Sequence, residues 1–556
     1  MNSPQRARPT YEQAIAAFSW REALADLGWF EQPTVDLVLT IVDRHAQGEG
    51  AERTAILWVG NDGAERRLSF RDLSAQSMRV GNLLRRIGIR KGDRVATILP
   101  RIPETLPVIL GTLRIGAVFV PIFSGFGADA VAYRLDHSGA KAVCLSGRTR
   151  HLVLRRDRLS VINVSEPGTV LRDGDIDYAH ALADEDETCE PEHCARDEPA
   201  AIIYTSGSTG QPKGCVIAAN ILAAMWPYVR YGLDLRRDSD VFWPTGDPSW
   251  GYGLCCYLPA LAMGAPVLCV EANATPDVCL EIIGKYKVSN LATTPTVLRS
   301  LVAQGEAVRH VGSSIRAISS CGEPLNGEVV EFFRRAWNVT SMDHFGATEF
   351  GLPVGNHNAI AMAVKPGSMG LPAPGQRMAV VNERGEELPP GAIGFIAQRC
   401  DDNSRYWLRY WNDEGASASL QRGRWICTGD LARRDQDGYF WFEGRSDDII
   451  KSAGYRIGPF EIESALLKHA AVVEAAAVGV PDELRGQIVK AFVVTRPGIA
   501  RSEALADELV ALVKAVCGQH QYPRAIEFVD SLPKTQTGKI QRFLLRQRGT
   551  QDKAPS

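Results

Sequence analysis

The sequence predicts an α/β protein. It has layers of helices and largely parallel strands in a large N-terminal part, then a small antiparallel or barrel-like unit, then a smaller C-terminal α/β domain. Three observations predict this. Strand-like apolar runs alternate with runs of helical spacing over the first two-thirds of the chain. After about Gly375 the texture changes to short alternating runs separated by Gly and Pro. At 556 residues the chain exceeds what one hydrophobic core serves, since domains run to about 100–200 residues.

Each element follows from local signals. Ser69-Phe70-Arg71-Asp72 has the form of a capping box; Leu73, Val80, Leu83, Leu84 and Ile87 follow at helical spacing, and Gly88 stops the run. Residues 94–99 then read as a strand. The most apolar stretch, 106–122, contains Pro107, Arg114 and Pro121, so it reads as a buried helix running into a strand rather than a membrane span. Further strands are predicted at 142–145, 161–164, 200–204, 267–270 and 317–319. The acidic run Asp184-Glu185-Asp186-Glu187 reads as an exposed connector. Residues 377–381 and 393–398 supply strands of the small unit. A boundary is expected at Arg445, dividing the chain into 1–444 and 445–556, and the polar tail from Gln551 is expected to fray.

Composition excludes several classes. A 45% hydrophobic and 23% charged chain is ordinary globular material. A net charge of −3 without a long basic run argues against nucleic acid as the main partner. The start, Met1-Asn2-Ser3-Pro4-Gln5-Arg6, lacks the apolar core of a signal peptide. Twelve cysteines in a chain this long are not a disulfide framework, and several (Cys144, Cys269, Cys321) sit in apolar runs where a thiol acts as a small hydrophobe. The group Cys189, His193, Cys194 lacks a second ligand pair at metal spacing and reads as a solvated loop. A reducing, cytoplasmic setting is expected.

The sharpest chemical signal is Thr205-Ser206-Gly207-Ser208-Thr209-Gly210-Gln211-Pro212-Lys213-Gly214, placed directly after a predicted strand. Glycines let backbone N–H groups approach phosphate oxygens, hydroxyls add donors, and Lys213 adds a cation. A flexible Ser/Gly linker would not end in Pro-Lys-Gly inside a globular pattern. It is not a Walker loop, because Gly214 follows Lys213 where Ser or Thr would stand.

This segment resembles the signature loop of the adenylate-forming superfamily, which includes acyl-CoA synthetases, peptide-synthetase adenylation domains and luciferases. Further motifs follow in family order: Gly322-Glu323-Pro324; Asp343-His344-Phe345-Gly346-Ala347-Thr348-Glu349; Thr428-Gly429-Asp430; 444–451 with Gly454-Tyr455-Arg456; and Pro533-Lys534 with Gly538-Lys539. The resemblance covers nearly the whole chain. It implies ATP, Mg²⁺ and coenzyme A as reactants and cofactor. Thr348 is implied at the α-phosphate, and Glu349, with Thr205, at the metal. Gly322 to Pro324 would wall the adenine slot, Asp430 would accept from the ribose hydroxyls, and Arg445 and Arg456 would lie at the nucleotide. Lys539 would bridge the substrate carboxylate and the α-phosphate, as a group charged at neutral pH with an ordinary pKa of about 10.4 can.

The resemblance also implies a mobile C-terminal domain, with its hinge at Asp447 and with Ala453, Gly454 and Tyr455 lining a tunnel for the pantetheine arm. Residues 243–253 and 452–459 are similar to the acetyl-CoA and medium-chain acyl-CoA synthetase branch. Acetate-specific members place a tryptophan where Gly346 stands, so Gly346 and Gly251 imply a deeper pocket, walled by Trp250, Tyr252 and Cys321. The expected acid is larger than acetate: a short-to-medium or branched chain, or a small aryl acid. The chain departs from the common pattern in having no histidine in 215–220, Ala347 where Gln is frequent, and the unusual His344. A homodimer and acylation of Lys539 are further implications. Two other readings stay open: an adenylating enzyme with a carrier-protein thiol as acceptor, and a non-catalytic nucleotide-binding homologue.

Overall fold

The computed structural model describes the chain except residues 1–7, 155–157, 166–168, 170, 206–210, 400–402, 453–454, 483–484, 519–521, 535–539 and 552–556; of 451, 455, 456 and 551 only the backbone is described. Two large sheets dominate. The first has eight strands in the path Trp407–Tyr410, Lys213–Ala218, Pro199–Thr205, Val118–Pro121, Arg94–Ile98, Ala142–Ser146, Ser160–Val164, Ile176–Asp177. Its strands are parallel from Pro199–Thr205 onward, and the Lys213 and Trp407 strands join antiparallel. The second has nine, with a parallel centre of Ser341–Ala347, Ala317–Cys321, Asn290–Thr293, Phe242–Pro244, Val267–Val270 and Thr54–Val59. Antiparallel strands close its edges, Gly351–Gly355 and Leu371–Pro372 at one and Glu65–Ser69 at the other.

The largest core cluster lies between these sheets. It combines Phe119, Ala201, Ile203 and Cys215 of the first with Ile56, Phe242, Ala292 and Cys321 of the second. Helices Ile221–Pro227 and Gly251–Ala262 fill the gap. Both are apolar on every side, which suits a helix with no solvent face.

Local signals act as the sequence predicts. Helix Phe70–Arg86 starts at a capping box in which Ser69 N–H donates to Asp72 at 2.9 Å and Asp72 N–H to Ser69 Oγ at 3.1 Å. Such a cap contributes about 1 kcal/mol. Gly88 ends the run with φ +91°, where a Cβ would strain the backbone. The apolar stretch forms helix Thr105–Arg114 and strand Val118–Pro121. Arg114 is buried there and its guanidinium forks onto Asp43 at 2.7 and 2.9 Å. Among the described residues no helix is long and apolar enough to cross a membrane. The acidic connector is pinned as well as exposed: Arg79 and Arg86 of the capped helix pair with Glu187 and Glu185 at 2.7 and 2.6 Å.

A third, antiparallel sheet follows, built from Met378–Val381, Ile393–Gln398, Trp425–Arg434, Gln421–Arg422 and Phe440–Arg445. The chain leaves it at Arg445 and enters a fourth sheet at Ile450. That sheet takes Ile450–Ser452, Tyr455–Ile457, Val472–Asp482, Gly486–Thr495 and Ala525–Phe528. Helices Pro459–Leu467 and Glu503–Cys517 supply its own apolar core, with Ile462, Leu466, Leu509 and Val513.

Candidate active site

Parallel α/β sheets present ligands at the carboxyl ends of their strands. Strands Ala317–Cys321 and Ser341–Ala347 are parallel neighbours, with Cys321 opposite His344. The segments 322–324 and 346–349 therefore leave one edge together. Gly322 has φ +103°, and a Cβ there would face open space. The Glu323 carboxylate is turned onto its own scaffold: Thr296 Oγ1 donates to it at 2.8 and 3.0 Å, and Arg299 pairs with it. The face that 322–324 leaves free of these contacts is therefore its backbone. Asp343 is buried behind that loop and accepts from Leu325 N–H at 3.4 Å; burial pushes its carboxyl well above the usual range. His344 is buried edge-on to the Tyr228 ring at 5.1 Å, and burial pulls its pKa to about 3, so it is neutral. Phe345 packs near Phe350, with ring centroids 6.5 Å apart.

Gly346 stands at an irregularity in the pairing with Gly351–Gly355. An added Cβ would lie 2.4 Å from Gly351 O and 2.7 Å from Leu352 Cδ2. Close approach of Gly351 and Leu352 is therefore one physical reason for a glycine here. Ala347 closes the turn by accepting from Phe350 N–H at 2.9 Å, and Thr348 lies half-buried within it. Glu349 follows, 8% exposed. Its Oε1 accepts from Tyr410 Oη at 2.6 Å and from Cys215 Sγ at 3.5 Å.

The first sheet brings strand Lys213–Ala218 to the same place. Thr205 and Lys213 are antiparallel partners, so residues 206–212 connect a hairpin. Cys215 pairs with Tyr410 one strand further out. Lys213 Nζ lies 5.1 Å from the centroid of the Tyr410 ring. Burial, then Glu349, drives the Tyr410 phenol upward, which keeps its proton available for donation. Ser206, Gly207, Ser208, Thr209 and Gly210 lie outside the described residues.

The third sheet adds Asp430, opposite Arg445 in the pairing of Trp425–Arg434 with Phe440–Arg445. Thr428 Oγ1 donates to Asp430 Oδ2 at 2.6 Å, and Arg445 Nη1 lies 3.4 Å from Oδ1. Arg445 Nε also donates to Asp447 at 3.0 Å. Burial works against the Arg445 charge, and Asp430 and Asp447 more than offset it. The next residue, Asp448, binds Arg546 of helix Arg542–Gln551 at 2.7 Å. Lys539, Ala453 and Gly454 lie outside the described residues, as do the side chains of Tyr455 and Arg456. Lys534 and Ile540, on either side of the undescribed residues, form an isolated antiparallel bridge.

Of the expected acyl-pocket residues, Trp250 packs on Phe123 and Phe126 at 5.6 and 5.7 Å. Tyr252 and Tyr228 meet hydroxyl to hydroxyl at 3.2 Å, and Cys321 is buried on the same core face. A Cβ on Gly251 would meet nothing within 4 Å. Tyr410, Tyr228, Phe123 and Phe126 escaped the sequence reading. Tyr228 opens a π-helical turn, Tyr228–Gly232, a feature found often at functional sites. Nothing in the sequence marks the other three.

Two family models match the chain. That of the AMP-binding enzyme covers residues 42–403, and that of the AMP-binding enzyme C-terminal domain covers 461–539. The chain belongs to the AMP-binding enzyme family. This AMP-binding enzyme is 35% identical over 547 residues to the acetyl-coenzyme A synthetase of Bacillus subtilis, covering 96% of this chain and 94% of that protein. It is 37% identical over 511 residues to the human mitochondrial acyl-coenzyme A synthetase ACSM4, covering 90% and 87%. Its fold matches the crystal structure of the anthranilate CoA ligase AuaEII in complex with anthranoyl-AMP with a TM-score of 0.84, at 28% identity, covering 94% and 98%. The AMP-binding enzyme thus has a large N-terminal part and a smaller C-terminal domain, the order in which the two models match.

Proposed function

We propose that this AMP-binding enzyme is an AMP-forming carboxylic acid:CoA ligase. A carboxylate oxygen attacks the α-phosphorus of ATP, the bond to the β-phosphate breaks, and pyrophosphate leaves. The CoA thiol then attacks the carbonyl carbon of the acyl-adenylate, the carbon–oxygen bond breaks, and AMP leaves. The observation that carries the reading is that Tyr410 contacts both Lys213 and Glu349 and feels the charge of Arg445, the partner of Asp430, so that groups from three sheets meet around it. The named relatives support it, since they differ in their acids and share ligation to CoA.

The residues take the following roles in this reading. Residues 205–210 and Lys213 hold the polyphosphate, and Thr348 meets the α-phosphate. Glu349, with Thr205, would hold Mg²⁺, which would offset the charge of the phosphates. Glu349 fits a cation: it is buried, yet no Lys, Arg or His of the described residues pairs with it. Buried carboxylates are ordinarily paired or metal-bound. Gly322 to Pro324 wall the adenine, Asp430 accepts from the ribose, Arg445 and Arg456 lie at the nucleotide, and Lys539 bridges the reacting anions. Asp447 is the hinge, supported by the split in which Asp447 binds Arg445 and Asp448 binds the C-terminal helix. Ala453, Gly454 and Tyr455 line the CoA path.

The acid is larger than acetate. Open space at Gly251 and the aromatic wall of Trp250, Phe123 and Phe126 support a short-to-medium chain or a small aryl acid. The same reading takes the enzyme to be cytoplasmic, and the eleven described cysteines, all free thiols, support a reducing setting. A homodimer, and silencing of adenylation by acylation of Lys539, belong to the same reading.

The test is AMP release from ATP with and without CoA, across acids from acetate to octanoate and benzoate, with Lys539→Ala as control. AMP formation that needs both acid and CoA, and falls at least about 100-fold in the variant, is expected. Acid-dependent adenylate without CoA turnover would point to another acceptor, such as a carrier-protein thiol. No adenylate with any acid would leave a binding protein, and acetate far ahead of longer acids would refute the acid assignment.

A further inference from the structure

We infer that Tyr410 is a positioning residue: it holds the Glu349 carboxylate by Oε1, leaves Oε2 for the cation, and ties this carboxylate to Lys213. The inference rests on the reading of Glu349 as the metal ligand. Both donors that reach Glu349, Tyr410 Oη at 2.6 Å and Cys215 Sγ at 3.5 Å, land on the same oxygen. Oε2 receives no hydrogen bond from the described residues. A carboxylate with one oxygen fixed and the other open presents a single, oriented lone-pair face. Partners behind a metal ligand orient it in this way.

The placement of Tyr410 is itself determined by the sheet. It stands opposite Cys215 on the edge strand Trp407–Tyr410, which joins the first sheet two residues beyond Lys213. The ring is buried and packs on Trp407 at 5.4 Å. One face lies beneath Lys213 Nζ at 5.1 Å, within the range of a cation–π contact. One side chain thus contacts the lysine that enters the polyphosphate loop and the carboxylate that follows the second sheet. Those two groups come from different sheets, and Tyr410 fixes their separation.

The experiment measures Mn²⁺ binding to the ATP-loaded protein, from the electron paramagnetic resonance signal of free Mn²⁺, with no acid present. Tyr410→Phe keeps the ring and removes the hydroxyl. Its Mn²⁺ dissociation constant is expected to rise about tenfold, while metal-free ATP binding in EDTA stays as in the parent. Tyr410→Leu also removes the ring and is expected to weaken metal-free ATP binding. Cys215→Ala removes the weaker donor and is expected to give a smaller rise of the Mn²⁺ constant. In Tyr410→Phe with Glu349→Gln, the loss is expected to equal that of Glu349→Gln alone, because the tyrosine acts through the carboxylate. Unchanged Mn²⁺ affinity in a folded Tyr410→Phe, with affinity lost in Glu349→Gln, would overturn the role of Tyr410 and keep the metal site. Unchanged affinity in Glu349→Gln would overturn the metal assignment and the positioning role with it.

Discussion

Two carboxylates at the site live under opposite rules. Glu349 is buried, and its partners among the described residues are neutral, a phenol and a thiol. Asp430 is buried as well, yet it faces Arg445, whose side chain is 41% exposed and shared with Asp447. The first carboxylate has no cationic partner among the described residues, which is what the proposed metal role requires. The second neutralises itself and sits where the chain passes into the C-terminal sheet, so its contacts can be exchanged without stranding a charge.

The comparison can be broken at Asp430. Asp430→Ala removes the acceptor proposed for the ribose, and charge-assisted hydrogen bonds contribute about 1.5–3 kcal/mol each. ATP affinity is expected to fall about 10- to 100-fold by calorimetry, with Mn²⁺ affinity of the ATP complex unchanged. A parallel loss of metal affinity would mean that the two carboxylates form one coupled site.

How much of this was legible follows the same division. The strands and the capped helix were readable because their signals are local: alternation, Ser69 with Asp72, and Gly88 beyond the last turn. The nucleotide motifs were readable by resemblance. Tyr410 was not, because its role exists only once the edge strand pairs with Lys213–Ala218 and the turn after Ala347 arrives from the second sheet. Gly346 admits two physical readings, room for substrate and the close approach of Gly351 O and Leu352 along the direction of its missing Cβ. No pattern within a single sequence separates a glycine kept for a ligand from one kept for a neighbouring strand.

That contrast sharpens into an experiment on two glycines of the expected pocket. Gly251→Val adds bulk into open space at the start of helix Gly251–Ala262. It is expected to cut kcat/KM for the longer acids about tenfold relative to acetate, the scale of a methylene or two in an apolar pocket, with Tm nearly unchanged. Gly346→Ala pushes against backbone and is expected to cost about 1–3 kcal/mol of stability, with no matched gain in acetate preference. Thermal unfolding and the acid profile, measured on both variants, check this. If Gly346→Ala shifts selectivity at unchanged stability, the pocket reaches that strand after all.

The smallest expected effect concerns a third carboxyl, Glu443, at the end of the third sheet. It is paired with Arg433 at 2.7 Å, and yet burial, and then Glu461 of helix Pro459–Leu467, raise its pKa to about 7. Its ordinary value is about 4.3. Between these values the folded state binds more protons than the unfolded one, so stability falls as pH rises through this window. Below it both states are protonated and the penalty vanishes; above it the penalty is complete. Tm is therefore expected to fall between pH 5 and 7.5 by more in the parent than in Glu443→Gln, which cannot ionise. Glu461→Gln should recover only part of that difference, because burial outranks the neighbouring charge. Glu443 belongs to the third sheet and Glu461 to the C-terminal domain. Full recovery by Glu461→Gln would mean that the domain boundary, rather than the interior of the third sheet, sets the titration.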